Sequence, residues 1–129
     1  MSYMPFLLVG IGGFIGANAR FVVARMVGAM FETRFPLGTF LINVSGSFLL
    51  GVLGTVIAQR VFPSSEAMRL ALGVGFLGAF TTFSTFEFET HALIDDGSWL
   101  TATANMFASL FLGLLAVRAG IVLAKAWLA

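Results

Sequence analysis

The chain of 129 residues has no cysteine, a single histidine and very few charges. Each shortage excludes something. Without cysteine there is no disulfide, no thiolate nucleophile and no thiolate-ligated metal. His91 alone cannot build a histidine-rich metal site. Asp, Glu, Lys and Arg make up 10% of the residues, whereas a soluble domain carries about 25%, so an ordinary water-soluble fold is excluded. The net charge of +1 provides no clustered basic surface of the kind that holds nucleic acid, and no nucleic acid partner is expected. A cleaved secretory signal is not expected either. No basic region precedes Pro5, and no small-residue cleavage site closes the first apolar run.

Apolar residues fill the space that charge leaves. They make up 59% of the chain, and the mean hydropathy is +1.01. A helix needs about 20 apolar residues to cross about 30 Å of hydrocarbon. Four such helices use about 80 residues, leaving short loops and no room for an extramembrane catalytic domain. The expected fold is therefore an all-α membrane protein: one four-helix transmembrane domain over 1–129, with spans near 4–30, 37–60, 67–94 and 98–126. Charges mark the boundaries. Pro5 to Ala19 is apolar and continues past Arg20 and Arg25, and Glu32 to Pro36 reads as a loop because Pro36 disfavours helix before it. Leu37 to Ala58 carries no charge, and Gln59 to Ser65 forms the next loop. The fourth span runs uncharged from Trp99 to Val117, followed by Arg118 and Lys125. Trp99 and Trp127 suit the headgroup level at its two ends, or plain apolar packing.

The third span is less regular. Gly73, Gly75 and Gly78 punctuate it, the polar run Thr81-Thr82-Phe83-Ser84-Thr85 follows, and Glu87, Glu89 and His91 come next. Glycine followed by hydroxyl and β-branched residues is poor material for a continuous helix, so a break is expected here. A break at membrane depth is tolerated only inside protein or beside water. Freed carbonyls at Gly78 and Thr81 could then coordinate a cation, since unwound backbone is a recurrent sodium ligand. Close helix packing by the same glycines is the competing reading. Small residues four apart also occur as Gly12 and Gly16, Ser47 and Gly51, and Ala116 and Gly120, which favour close helix approach and reveal no substrate.

Four spans return the chain to its starting side. Arg60, Arg69, Arg118 and Lys125 share that side, and Arg20, Arg25 and Arg34 share the other. The positive-inside rule reads a Lys/Arg excess as orientation, and here it is almost balanced. Insertion both ways round, and with it an antiparallel homodimer, is one explanation; a small bias that counting misses is the other.

A few polar groups stand out against this background. Phe83 and Phe86 share a helix face if the helix resumes after the glycines. A phenyl ring has a positive edge and a negative face, so edges lining a narrow path would interact with a small anion, although two core phenylalanines would have the same spacing. Thr101, Asn105, Ser109 and Gly113 fall on one face of the fourth span, as a track for a permeating ion or as interhelical hydrogen bonds. Asn43 is alone in an apolar span and can donate to an anion. Arg20 is a deep cation, which faces protein or a watery cavity unless it snorkels to the interface. Gly13 to Ala17 also resembles Gly75 to Ala79, as a duplicated two-helix unit or by coincidence.

With these residues assembled, the chain resembles the small fluoride channel family (Fluc, also called CrcB). The resemblance rests on Gly78-Ala79-Phe80-Thr81-Thr82-Phe83-Ser84-Thr85-Phe86, on Gly38-Thr39-Phe40-Leu41-Ile42-Asn43, and on Gly12 to Ala17 followed by Arg20. It covers all four spans, and the Thr-Thr-Phe-Ser-Thr-Phe run is its most specific part. The resemblance implies an antiparallel, dual-topology homodimer in a bacterial inner membrane, with two pores that pass fluoride and no enzymatic step. It implies that Phe83 and Phe86 line the pore, Asn43 is the pore amide, Ser109 belongs to the polar track, and Thr39 is a pore neighbour. Arg20 would stand near an aqueous vestibule. The carbonyls of Gly78 and Thr81, from both subunits, would hold a structural Na+ at the dimer centre. Two positions depart from the family. Ala79 stands where a second glycine is common, and Asn105 where some members have tyrosine, which would put an amide in the upper track. Glu89 matches a family acidic position and is given no role in conduction.

Rival readings are fewer. A proton-coupled small multidrug exporter needs an ionisable coupling residue, and only Glu87 and Glu89, near the end of the third span, could serve. A non-transporting scaffold leaves Arg20, Asn43 and the polar stripe as a cost without a purpose. An enzyme is disfavoured, since His91 has no evident nucleophile partner.

Overall fold

A computed structural model describes residues 2–129. Their regular secondary structure is entirely helical, with four helices long and apolar enough to cross a membrane. In chain order they run α1 (Met4–Met30), α2 (Leu37–Ala58), α3 (Ser65–Met68), a wider π-helical stretch (Arg69–Leu77), α4 (Gly78–Phe80), α5 (Phe83–Asp95) and α6 (Trp99–Leu128). The pieces from Ser65 to Asp95 join into the third span, which bends at Thr81 and Thr82.

Local chemistry sets the ends. Pro5 lies in the first turn of α1, where its missing N–H costs nothing. Pro36 stands at the N-terminal boundary of α2, and Arg60, with φ 52°, turns the chain out of its last turn. Gly97, with φ +83°, closes α5: its N–H donates to the Ile94 carbonyl at 3.0 Å, and that of Ser98 to Leu93 at 2.8 Å. This left-handed glycine cap reverses the chain into α6.

Two seams of backbone contact hold the spans together. A Cβ at Gly12 would run into the Ala71 carbonyl, and one at Gly16 into that of Phe76. In return, a Cβ at Gly75 would lie 2.8 Å from the Val9 carbonyl. Thus α1 and the π-helical stretch touch backbone to backbone. The second seam joins α2 to α6, where Gly51 faces the Val117 carbonyl and Gly120 that of Phe48. Lipid offers little hydrophobic drive for helix association, so such close approach carries the packing. The buried apolar core is correspondingly small: Ile42, Leu77 and Phe80, with Ala19, Val23, Leu53 and Phe76 against it. Leu100, Phe107, Leu114 and Trp127 point outward, as suits a surface facing hydrocarbon rather than water.

Candidate functional site

The polar geometry centres on the bend in the third span. Thr81 and Thr82 are extended, with φ/ψ of −81°/158° and −152°/119°. In an unbent helix the Thr82 amide would donate to the Gly78 carbonyl, and that of Thr85 to Thr81. Both are diverted. The Thr82 N–H donates to Asn43 Oδ1 at 2.8 Å, and Asn43 Nδ2 donates back to the Thr82 carbonyl at 3.0 Å. The Thr85 N–H donates to Thr82 Oγ1 at 3.2 Å, so Thr82 is the N-cap of α5. The carbonyls of Gly78 and Thr81 therefore lose their helical partners, and these are the two that the sequence singled out. The preceding turn stays closed: the Thr81 N–H and Oγ1 both donate to the Leu77 carbonyl, at 3.0 and 2.9 Å.

An open cavity of about 330 Å³ lies against this bend. Asn43, Gly78, Thr81, Phe83, Phe86 and Ser109 all line it, so residues picked from three different spans converge on one place. The Phe83 and Phe86 rings have centroids 6.0 Å apart and are tilted by 53°. Phe86 is buried, whereas Phe83 is 72% exposed on the open side. Arg20 and Thr39 are elsewhere. They line a second cavity of about 240 Å³ together with Thr82 and Thr85. Thr82 borders both cavities, so the bend is the wall between them.

Asn105 lines neither cavity. It is 1% exposed, its Nδ2 donates to Thr90 Oγ1 at 2.8 Å, and its Oδ1 accepts from the Ser109 hydroxyl at 3.1 Å. Two hydroxyl residues that line the main cavity are not assigned to a site by the sequence, where Ser47 reads only as a small packing residue. Thr82 caps α5, a role legible in a threonine opening a new helix. Ser47 lines the main cavity, and its hydroxyl makes no hydrogen bond within the described residues; its spacing of four from Asn43 puts both on one face of α2.

The acidic residues divide. Glu87 and His91 are exposed, and His91 Nδ1 lies 3.4 Å from Asp95 Oδ2. Glu89 has a buried Oε1 without a partner, beside Thr39 in a cavity of about 210 Å³. In the loop after α5, hydrogen bonding from Ser98 and, less strongly, the Arg34 charge hold the Asp96 carboxyl below its ordinary value. Arg34 Nη1 donates to Ser98 Oγ at 2.8 Å, tying two loops together.

Residues 7–121 match the family described as CrcB-like protein, Camphor Resistance (CrcB). A fluoride-specific ion channel FluC of Solibacter usitatus is 42% identical over 122 residues, 95% of this chain and 99% of that protein. One of Acidobacterium capsulatum is 47% identical over 119 residues, covering 92% and 94%. A third, from Nitratiruptor sp., is 41% identical over 125 residues, covering 97% and 95%. With its four apolar spans this is a multi-pass protein of the bacterial inner membrane, and the chain belongs to the CrcB-like family.

Proposed function

We propose that the protein is a fluoride-selective channel that lets fluoride leave the cell passively through two pores of an antiparallel homodimer. The observation that carries the reading is the convergence of Asn43, Phe83, Phe86 and Ser109 on one cavity at a helix bend, in a chain whose relatives are named fluoride-specific channels. Fluoride is small and strongly hydrated, so its entry requires that donors replace water. Asn43 uses one N–H on Thr82, and its second remains for an anion. Ser47 and Ser109 add hydroxyls, and the phenyl rings add positive edges. A narrow path lined this way penalises larger anions, while shared and weak donors let the ion leave again.

Two features support the assembly. Phe83 is a pore aromatic on an open face, and a second copy would complete its surroundings. The nearly even split of the 7 Lys and Arg between the two sides suits insertion both ways round. The Gly78 and Thr81 carbonyls, released by the bend, fit a hard cation that takes oxygen ligands. No group of three or more His, Asp or Glu residues that could hold a metal occurs among the described residues, so carbonyls from both subunits would hold the Na+. That ion would supply charge compensation between facing backbone dipoles.

The unpartnered Glu89 oxygen favours one competing reading, a proton-coupled exporter of the small multidrug type. Liposomes loaded with fluoride or chloride separate the two. Fluoride efflux at zero pH gradient, with potassium permeability supplied and chloride retained, is the expected result. Efflux that demands a proton gradient would move the assignment to the coupled carrier, and folded protein that moves no fluoride would refute the channel.

A further inference from the structure

Asn105 has the wrong surroundings for an ion ligand and the right ones for a clamp. Among the described residues it is the most buried polar one, and it lines neither the main cavity nor the one beside Arg20. Its two immediate partners, Thr90 and Ser109, connect it to residues that do line the main cavity.

The direction of every bond in this network follows from one fixed point. The Phe86 carbonyl can only accept, so the Thr90 hydroxyl, 2.7 Å away, must spend its single proton there. Thr90 Oγ1 is then an acceptor towards Asn105, which fixes the amide with its nitrogen facing Thr90 at 2.8 Å. The amide oxygen consequently faces Ser109, and the Ser109 hydroxyl must donate to it at 3.1 Å. A carbonyl on a cavity-lining phenylalanine thus dictates where a cavity-lining serine points its proton. Phe86, Thr90 and Asn105 are themselves buried, so water does not compete for the Thr90–Phe86 and Asn105–Thr90 bonds, whereas Ser109 is half-buried at the cavity. Among the described residues, the Asn105–Thr90 bond is also the one side-chain hydrogen bond between α5 and α6.

We propose that Asn105 is a positioning residue that does not touch the ion: through Thr90 it holds the Phe86 backbone, and through its amide oxygen it holds the Ser109 proton away from the pore until an anion claims it. This rests on the channel reading above. It makes Ser109 a conditional donor. An approaching anion must draw the hydroxyl off Asn105 Oδ1, so part of the binding energy is offset, and the site does not trap what it admits.

The test uses reconstituted full-length protein, with dimers confirmed by size exclusion before each flux measurement. Thr90→Val keeps the shape and removes the hydroxyl, and it should slow fluoride efflux about tenfold, the effect of one lost buried hydrogen bond. Thr90→Ser restores the hydroxyl and should restore the flux, a rescue that loss of bulk packing would not give. Asn105→Leu should match Thr90→Val, and the double variant should be no slower than the slower single one, because both cut the same connection. If Asn105→Leu does not yield dimers, the contrast between Thr90→Val and Thr90→Ser decides alone. Wild-type flux in Thr90→Val overturns the inference, as does loss in Asn105→Leu alone, which would make Asn105 a direct ion contact. Wild-type protein that moves no fluoride overturns the channel reading and this inference together, so the two failures are distinguishable.

Discussion

Replacing Asn43 tests the bend and the pore with one side chain. The amide makes two hydrogen bonds to the Thr82 backbone, at 2.8 and 3.0 Å. Asn43→Leu keeps a similar volume and removes both. A net hydrogen bond is worth about 1 kcal/mol, and an orphaned buried partner costs about 1–3 kcal/mol. Thr82 is only half-buried, so water can reach part of the released backbone, and the expected destabilisation is about 2–3 kcal/mol. Asn43→Asp is subtler. It retains the acceptor for the Thr82 N–H but opposes a carboxylate to the Thr82 carbonyl and to any anion in the cavity. Loss of a hydrogen bond to a charged ligand costs about 1.5–3 kcal/mol, which is about ten- to hundredfold in fluoride flux. Unfolding of both variants in detergent, followed by electrode-monitored efflux from liposomes, separates the two effects. Leu should lose stability and flux, whereas Asp should lose flux out of proportion to its stability. Wild-type flux in Asn43→Asp would refute the assignment of this amide to the anion path.

Further outcomes follow from the same geometry. Phe83→Ile and Phe86→Ile should slow fluoride flux while dimers persist on size exclusion, and unchanged flux in both would discard the ring-edge role. Gly16→Leu drives a side chain into the Phe76 carbonyl, and overpacking of this kind costs about 1–3 kcal/mol or more, so its unfolding midpoint should fall well below that of Ala17→Leu, at an exposed position. If the proposed Na+ site exists, replacing sodium with N-methylglucamine lowers the thermal stability of the protein in a concentration-dependent way, as for any ligand of the folded state; no change would refute the proposed site. Asp96 has a folded-state value lowered from the ordinary 3.8 by Ser98 and Arg34. Its contribution is therefore present above that pH and fades as the pH falls through the lowered value. Asp96→Asn should flatten the acid limb of stability, and an unchanged acid limb would argue against a stabilising role for the Asp96 charge beside Ser98 and Arg34.

Much of this was legible in the sequence because hydrocarbon imposes strict rules. The uncharged run Leu37–Ala58 had to be a span, and a polar run after three glycines had to disturb one. The seams were legible as well, since Gly12-xxx-Gly16 has few uses besides close approach. What the sequence left open was which of two uses each polar residue served. Asn105 and Ser109 lie four apart on one face, but spacing cannot tell a side chain facing a cavity from one turned into the neighbouring helix. That distinction depends on the rotation of α6 against α5, and it shows only in the hydrogen bond to Thr90, fifteen residues away. Asn43 was expected to serve an anion, and its engagement with Thr82, 39 residues further on, is a tertiary fact with no local signature.

The hydrogen-bond assignments also bear on how a pore can be both selective and permeable. Around the main cavity, the Thr81 hydroxyl is committed to Leu77, the Thr82 hydroxyl to Thr85, and the Ser109 hydroxyl to Asn105. Only the second Asn43 N–H and the Ser47 hydroxyl have no partner within the described residues. A cavity with every donor free would bind a small anion tightly and hold it. With most donors already satisfied, an anion gains little until it is close enough to compete for them. The ion that competes best is the smallest and strongest acceptor among the halides, since a larger one can neither approach the donors as closely nor repay the bonds it breaks. On this argument, selectivity for fluoride resides in the partners that the donors must leave, and Ser47→Ala should lower fluoride occupancy with less effect on discrimination against chloride than changes at Asn105 or Thr90.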